Sequence, residues 1–203
     1  MSIRLLGAVV VALLVTACSS TPKPEDEKAS VQLDLSKDFP EPNSPLTKAR
    51  IEKRIADIRY QRGVTLISNL ERIAGYGDVV IPFCIDGLEN DDAMTRMGCS
   101  WVLGRLANSA AVPALEGALD DPVPFVRYEV ASQLGNLGSR KGYTVLVEGL
   151  SDERVEMRFK CFEALHELTG NTFGYSHTAA PEARKVSVEE WQSWLTRVRS
   201  EEL

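Results

Sequence analysis

From residue 45 onward, apolar residues recur at the spacing of one helical face. Ser44 is suited to cap a helix that has Pro45 at its first position. The apolar positions that follow are Ile51, Ile55, Ile58, Leu66, Ile67, Leu70 and Ile73. Gly63 interrupts this pattern. The sequence therefore predicts, over residues 45–74, either one kinked helix or two helices separated near Gly63.

An internal repeat of 31 residues follows this segment. Residues 80–110, 111–141 and 142–172 align without gaps, and four columns are identical in all three copies. The four columns are Leu88/Leu119/Leu150, Arg96/Arg127/Arg158, Leu103/Leu134/Leu165 and Leu106/Leu137/Leu168. Conserved spacing of this kind is typical of a chain built from stacked, similar units.

Each copy contains the pattern of two helices joined by an acidic turn. In the second copy a short apolar helix is predicted at Val112–Leu119, and a longer helix at Pro124–Leu137. The turn between them reads Asp120-Asp121-Pro122, which can cap the second helix and place negative charge at its positive end. Neither helix can bury its apolar face alone, so we expect the pairs to stack on one another.

The first 18 residues have the pattern of an export signal that ends in a lipidation site. Arg4 precedes an uncharged apolar run from Leu5 to Val15, which is shorter than a membrane-spanning helix requires. The run ends in Leu-Val-Thr-Ala-Cys and resembles a bacterial lipobox. This resemblance implies cleavage after residue 17 and attachment of acyl chains such as palmitate to Cys18. The alternative is an ordinary cleaved signal peptide with an incidental cysteine.

Residues 18–44 are predicted to be a lipidated cysteine followed by a disordered tether, because they are rich in Ser, Pro, Lys and Glu. Alternatively, four apolar residues in this segment pack along the domain: Val31, Leu33, Leu35 and Phe39. Ser19, rather than Asp, follows the cysteine. By resemblance to enterobacterial sorting, this indicates the outer membrane, facing the periplasm.

Composition narrows the classes of function. The 203 residues carry a net charge of −6, which removal of residues 1–17 changes to −7. This charge disfavours binding of nucleic acid through its phosphates. It also means that anionic lipids repel the protein as a whole, so that the acyl chains must provide the attachment. No metal-binding or cofactor-binding motif is found, and none is expected.

The segment from Val112 to Gly138 carries the pattern Val-Pro-Ala-Leu, then Val-Arg, then Leu-Gly-x-Leu-Gly, and resembles a HEAT repeat of the short bacterial type also called phycobilisome-lyase HEAT-like. The resemblance implies an all-α fold, a right-handed α-α superhelix with helical end caps. It places an N-terminal cap or degenerate repeat at 45–77, three repeats at 78–170, and a loop with a capping helix at 171–203. Within that last segment, Ser187 and Glu190 are spaced as a capping box.

The arginine column and the cysteines are the first candidates for chemistry. Arg96, Arg127 and Arg158 either pair with acidic turns or form a ladder for an acidic ligand. The turn residues concerned are Asp91, Asp121, Asp152 and Glu153. The mature cysteines align with core positions, and only Cys84 and Cys99 are placed where they could form a disulfide. The chain is therefore expected not to be an enzyme.

A column of large apolar residues on the second helices is the candidate binding surface. Helical phase predicts that Met97, Trp101, Tyr128 and Phe159 point outward, in a row that binds an unidentified envelope protein. The alternative is that the row packs against the tether, the tail or the next repeat. The sequence thus predicts a membrane-anchored, non-catalytic scaffold. The other class of function, implied by the repeat subtype, is a bilin-lyase-like enzyme that attaches or assembles a chromophore.

Overall fold

The computed structural model describes residues 43–200, and the described residues form helices and turns. The nine α-helices of this part of the chain are α1 (Pro45–Asp57), α2 (Gly63–Ala74), α3 (Ile81–Gly87), α4 (Ala93–Leu106), α5 (Val112–Gly117), α6 (Pro124–Asn136), α7 (Tyr143–Gly149), α8 (Val155–Thr169) and α9 (Pro181–Ser200). The predicted all-α fold is confirmed. The predicted signal peptide, Cys18 and the predicted tether as far as residue 42 lie outside the described residues.

Residues 45–74 form two helices rather than one kinked helix. The Ser44 hydroxyl accepts a hydrogen bond from the Thr47 amide at 3.1 Å and caps α1, with Pro45 in the first turn. Gly63 begins α2 with φ of +54°, a left-handed conformation that suits glycine. One apolar assignment is wrong: Ile67, expected on the buried face, is 55% exposed, because Leu66, Leu70 and Ile73 already fill that face.

The repeats place their longer helices in one continuous layer. α2 packs on α4, α4 on α6, and α6 on α8, while each short helix α3, α5 and α7 packs against the longer helix that follows it. Leu103, Leu134 and Leu165 occupy equivalent positions in this layer, and all three are fully buried. The predicted stacking of helix pairs around the leucine columns is therefore confirmed.

The turns between paired helices are stabilised in a slightly different way from the prediction. Asp92 caps α4 by accepting the Thr95 amide at 2.9 Å. In the next two repeats the carboxylate lies earlier in the turn: Asp121 accepts the Val123 amide at 2.8 Å and Asp152 accepts the Arg154 amide at 2.9 Å. These are Asx turns, which prepare the chain for the helix without capping it. The predicted helices Val112–Leu119 and Pro124–Leu137 end earlier, at Gly117 and Asn136.

A single 20-residue helix, α9, packs against α7 at the C-terminal end of the stack. Trp191 is fully buried there and Leu195 nearly so. The predicted capping box at Ser187 is wrong, since Ser187 lies in the interior of α9 with its side chain buried. Among residues 43–200, no helix is long and apolar enough to cross a membrane.

The close approach of α7 to α6 gives a testable prediction at Gly142. A Cβ atom on Gly142 would lie 2.6 Å from the backbone oxygen of Ala131 and 2.7 Å from its Cα, so backbone would have to move. We expect Gly142→Ala to lower the free energy of unfolding by about 1–3 kcal/mol in urea denaturation. The matched control is Gly117→Ala, where no atom lies within 4 Å of the new Cβ. A Gly142→Ala protein as stable as the control would contradict the close helix packing.

Candidate functional site

The arginine column fixes the turns between paired helices. Arg96 donates to the backbone oxygens of Asn90 and Asp91 at 2.8 and 3.1 Å. The other two arginines reach the same positions of their own turns. Arg127 donates to the oxygen of Asp121 at 2.8 Å, and Arg158 donates to those of Asp152 and Glu153, both at 2.8 Å. This shared contact five or six residues upstream explains why the column is invariant, and it satisfies carbonyls that a turn would leave unpaired.

Within residues 43–200, one member of the column, Arg96, forms an ion pair with an acidic turn, and that turn belongs to the next repeat. Arg96 makes a bidentate contact to Asp121, with N–O distances of 2.6 and 3.0 Å. Both side chains are largely buried, at 11% and 6% exposure. Arg158 instead donates to the backbone oxygen of His177 at 3.0 Å. The structural interpretation of the column is thus supported, although backbone carbonyls, more than carboxylates, are the partners.

The Arg96–Asp121 pair makes stability depend on pH. Burial acts to raise the pKa of Asp121, but the hydrogen bonds from Arg96 and the Val123 amide, with the charges of Arg96 and Arg127, hold it below its usual value. A carboxyl group whose pKa is lower in the folded than in the unfolded protein stabilises the fold above its unfolded pKa, about 4. That stabilisation is lost as the pH falls through the folded pKa.

We therefore expect the free energy of unfolding to fall as the pH is lowered from about 5 through 4 and below. Asp121→Asn should be less stable at neutral pH and should show a smaller fall over the same range, because residue 121 no longer takes up a proton. Urea unfolding at a series of pH values measures both slopes. Equal slopes in the two proteins would show that Asp121 is not the group responsible.

The cysteines occupy core positions, as predicted. Cys84, Cys99 and Cys161 are free thiols and fully buried. A hydrogen bond with Cys84, followed by burial, raises the pKa of Cys99 well above its ordinary value. Burial raises the pKa of Cys161 to about 12. Cys99 and Cys161 are therefore protonated at neutral pH, which is not the state of a nucleophilic thiol. The predicted proximity of Cys84 and Cys99 is observed, without a disulfide.

The predicted row of outward apolar residues is not a continuous exposed surface. Tyr128 is 6% exposed, and its hydroxyl donates to Asp152 at 3.0 Å, so its outward placement is wrong. Met97 and Trp101 are half-buried and pack against the core of the first repeats. Phe159 is 44% exposed and stacks edge-on against His177 at 4.8 Å between ring centroids. The partner-binding role of these residues stays a prediction.

The stacking of the longer helices explains why Tyr128 is buried although it was predicted to point outward. Helix α6 lies between α4 and α8, so it is buried on two faces: Val126, Val130 and Leu134 belong to the core on one side, and Tyr128 and Ala131 to the core on the other. The column that contains Tyr128 points toward the following repeat. Phe159 is exposed because α8 is the last of the stacked longer helices in the described chain.

The two histidines make separate contacts near the C-terminal end of the described chain. His166 contacts the Asn171 carbonyl at 3.2 Å and stacks on Phe162, and His177 lies against Phe159. Within residues 43–200, no three His, Cys, Asp or Glu side chains are grouped so that they could hold a metal ion.

Sequence comparison finds relatives among enzymes. The chain is 32% identical over 89 residues to deoxyhypusine hydroxylase of Cryptococcus neoformans var. neoformans serotype D, covering 42% of this chain and 25% of that protein. It is 29% identical over 117 residues to deoxyhypusine hydroxylase-B of Oryza sativa subsp. japonica, covering 55% of this chain and 39% of that protein. It is 34% identical over 96 residues to deoxyhypusine hydroxylase of Bos taurus, covering 45% of this chain and 32% of that protein. The chain thus spans between a quarter and two fifths of the length of these relatives.

These relatives correct two predictions. They are enzymes, so the prediction of a non-catalytic scaffold and the prediction that the chain is not an enzyme are both wrong. The alternative of a bilin-lyase-like enzyme has no support either. A solved structure of human deoxyhypusine hydroxylase in complex with glycerol also matches, with 23% identity and a TM-score of 0.40, covering 68% of this chain and 51% of that one.

The family comparison agrees with the repeats seen in the structure. Residues 77–172 match the family described as HEAT repeats, and this range contains the helix pairs α3–α4, α5–α6 and α7–α8. The same range includes all three copies of the arginine and leucine columns. Residues 77–172 are therefore HEAT repeats, with the all-α fold of a HEAT solenoid.

Proposed function

We propose that this chain is a lipid-anchored HEAT-repeat protein of the bacterial cell envelope. We further propose that its repeat domain binds a protein of that compartment, as a partner or as the substrate of a reaction. The observation that carries the binding proposal is the unbroken layer of α2, α4, α6 and α8, because stacked repeats present one extended surface to a ligand. The anchoring proposal depends on the lipobox that ends at Cys18.

The proposed anchor consists of acyl chains, such as palmitate, on Cys18 at the start of the mature protein. More than one chain is needed for stable anchoring, since each buried CH₂ contributes only about 0.8 kcal/mol. Ser19 supports the outer membrane as the destination, with the repeat domain facing the periplasm. The protein bound by the repeats then also lies in the envelope.

Replacing the proposed acylation site tests this anchor. We expect Cys18→Ala to abolish incorporation of a radiolabelled or clickable fatty acid and to keep the uncleaved precursor, because the thiol that receives the lipid is gone. The control is Ser20→Ala, which leaves the thiol in place and should be labelled normally. Metabolic labelling followed by gel electrophoresis measures both. Equal labelling of Cys18→Ala and the unmodified chain would overturn the lipoprotein proposal.

The exposed end of the predicted row is the part of the repeat surface that we propose for protein binding. Val155 and Phe159 lie one turn apart on α8 and are 36% and 44% exposed. A photo-crosslinking residue at position 159 should capture the partner, whereas the same residue at Val186 on α9, which is 60% exposed, should not. Capture of the same proteins at both positions would contradict a specific site on α8.

A second candidate function is an enzymatic activity related to that of the deoxyhypusine hydroxylases, and the 29–34% identity to the relatives above favours it. The test supplies deoxyhypusine to the full chain purified in detergent, under air. Gain of one oxygen atom by the compound, detected by mass spectrometry, would support the activity. An unchanged mass, in parallel with turnover by one of the curated relatives, would contradict it.

A further inference from the structure

The helix pair α1–α2 precedes the three 31-residue copies, and we call residues 45–75 the first repeat. This segment carries exposed apolar side chains that the described chain leaves uncovered. Tyr60 is 79% exposed, Val64 83% and Ile67 55%, and the three lie within eight consecutive residues. Four further large apolar residues are exposed in residues 43–200, and they are Leu46, Val155, Phe159 and Val186. Such a concentration is unusual, because large apolar side chains on the surface of a soluble domain are normally scattered.

The same repeat is basic, although the rest of the domain is acidic. Residues 45–75 carry seven Lys or Arg and three Asp or Glu, a net charge of +4. Residues 76–200 carry twelve Lys or Arg and eighteen Asp or Glu, a net charge of −6. The overall charge therefore conceals a strong asymmetry along the chain. A membrane with anionic lipids attracts the first repeat and repels the others.

Two arginines lie at the same turn as the exposed ring of Tyr60. The Arg59 guanidinium lies 5.5 Å from the centroid of the Tyr60 ring. Arg62 donates to the backbone oxygens of Arg59 and Gln61 at 3.0 and 2.6 Å, which holds its side chain at the same turn. The turn between α1 and α2 thus presents an aromatic ring, an aliphatic side chain at Val64 and two cations together. Aromatic and basic side chains with apolar stems are suited to the lipid headgroup region.

A groove between α1 and α2 opens next to Val64. It has a volume of about 350 Å³ and is lined by Arg54 and Arg72, with the hydroxyls of Thr65 and Ser68. Arg54 donates to the neutral amide of Asn69 at 3.1 Å. Among residues 43–200, no ion pair joins a carboxylate to either arginine, so the charge of the groove is uncompensated within the described chain. Guanidinium and hydroxyl groups are donors suited to a phosphate.

We infer that the first repeat docks on an anionic phospholipid surface, with Tyr60, Val64 and Ile67 in the headgroup and acyl boundary and a lipid phosphate between Arg54 and Arg72. This inference rests on the proposed lipid anchor. Cys18 precedes Pro45 by 27 residues, which limits their separation to about 95 Å even for a fully extended chain. The anchor therefore keeps the first repeat at a high effective concentration near the membrane, so that a weak surface contact suffices.

Fluorescence of a labelled chain in vesicles tests this docking. The full, acylated chain carries an environment-sensitive dye on Val64→Cys; a matched control carries it on Val186→Cys, at the other end of the domain. The described native thiols are buried and do not react. In vesicles of phosphatidylglycerol and phosphatidylcholine we expect the dye at position 64 to brighten at least twofold and to be quenched by brominated lipid, whereas the dye at position 186 does neither.

Vesicles of different lipid composition, and protein variants of different charge, identify what causes the brightening at position 64. Replacing phosphatidylglycerol by phosphatidylcholine should remove the brightening at position 64 while the chain still floats with the vesicles. Arg59→Glu with Arg62→Glu, or Arg72→Gln alone, should reduce it at least severalfold, and Arg105→Gln on the exposed part of α4 should not. A chain that floats with an unchanged dye at position 64 would overturn the docking alone. A chain that floats with neither vesicle would overturn the proposed anchor as well.

Discussion

Trp191→Ala is expected to lower the free energy of unfolding by about 3–5 kcal/mol. Trp191 is fully buried and packs edge-on against Phe173 and Trp194, with ring centroids 4.8 and 5.5 Å away. The substitution leaves a cavity between α9 and the rest of the last repeat, which the surrounding rings can fill only in part. Urea unfolding followed by far-ultraviolet circular dichroism measures the loss.

Two controls separate packing from other effects in this experiment. The indole nitrogen of Trp191 has no hydrogen-bond partner in the described chain, so Trp191→Phe removes no hydrogen bond and should be milder than Trp191→Ala. Val186→Ala, at a 60% exposed position of the same helix, should change stability by no more than about 0.5 kcal/mol. If Trp191→Ala were as mild as Val186→Ala, α9 would not be the cap of the stack.

Arg96→Met is expected to have a comparable effect, lowering the free energy of unfolding by about 3–5 kcal/mol. The substitution removes both hydrogen bonds from Arg96 to the buried carboxylate of Asp121 and leaves the Val123 amide as its hydrogen-bond donor. It also frees the carbonyls of Asn90 and Asp91, which no longer have a side-chain donor. One substitution thus loosens the turn of the first 31-residue copy and its connection to the second.

The matched control for Arg96→Met is Lys53→Met on α1. Lys53 pairs with Asp57 at 3.0 Å, but the two side chains are 74% and 41% exposed. A solvent-exposed pair of this kind contributes about 0–1 kcal/mol. Thermal and urea unfolding of the two variants compares a buried with an exposed ion pair in the same protein. Equal losses would mean that the Arg96–Asp121 contact does not join the repeats.

The leucine columns and the arrangement of helices could be predicted from the sequence, because each repeat shows the same helical period three times. The repeated pattern predicted that equivalent leucines lie on the buried face, and this is true of Leu103, Leu134 and Leu165. The burial of Tyr128 could not be predicted in the same way. Helical phase distinguishes one buried face from one exposed face, whereas α6 is covered on both sides by neighbouring longer helices.

The hydrogen-bond partners of the polar side chains were the least predictable part of the structure. The turn motif indicated carboxylates beside the arginine column, but backbone carbonyls are the contacts that all three arginines share. A one-dimensional pattern does not show which carbonyls a turn leaves unpaired. Likewise, the spacing of Ser187 and Glu190 fits a capping box, yet α9 begins at Pro181 and passes through both residues. Local motifs do not show where tertiary packing lets a helix begin.

The exposed apolar face of the first repeat could not be predicted from the sequence for a different reason. Ile67 lies three residues before Leu70 at helical spacing, so the spacing of apolar residues alone assigns Ile67 to the core. The net charge of the whole chain similarly averages a basic first repeat with acidic later ones. The three-dimensional arrangement separates these features and shows that the basic helix pair α1–α2 also carries exposed apolar side chains.

The most direct test of the account as a lipid-anchored HEAT-repeat protein is the intact mass of the chain extracted from membranes with detergent. We expect a polypeptide that begins at Cys18 and carries the additional mass of two or three acyl chains. A chain that begins elsewhere, or one that begins at Cys18 without acyl groups, would contradict the anchor and the membrane docking that depends on it.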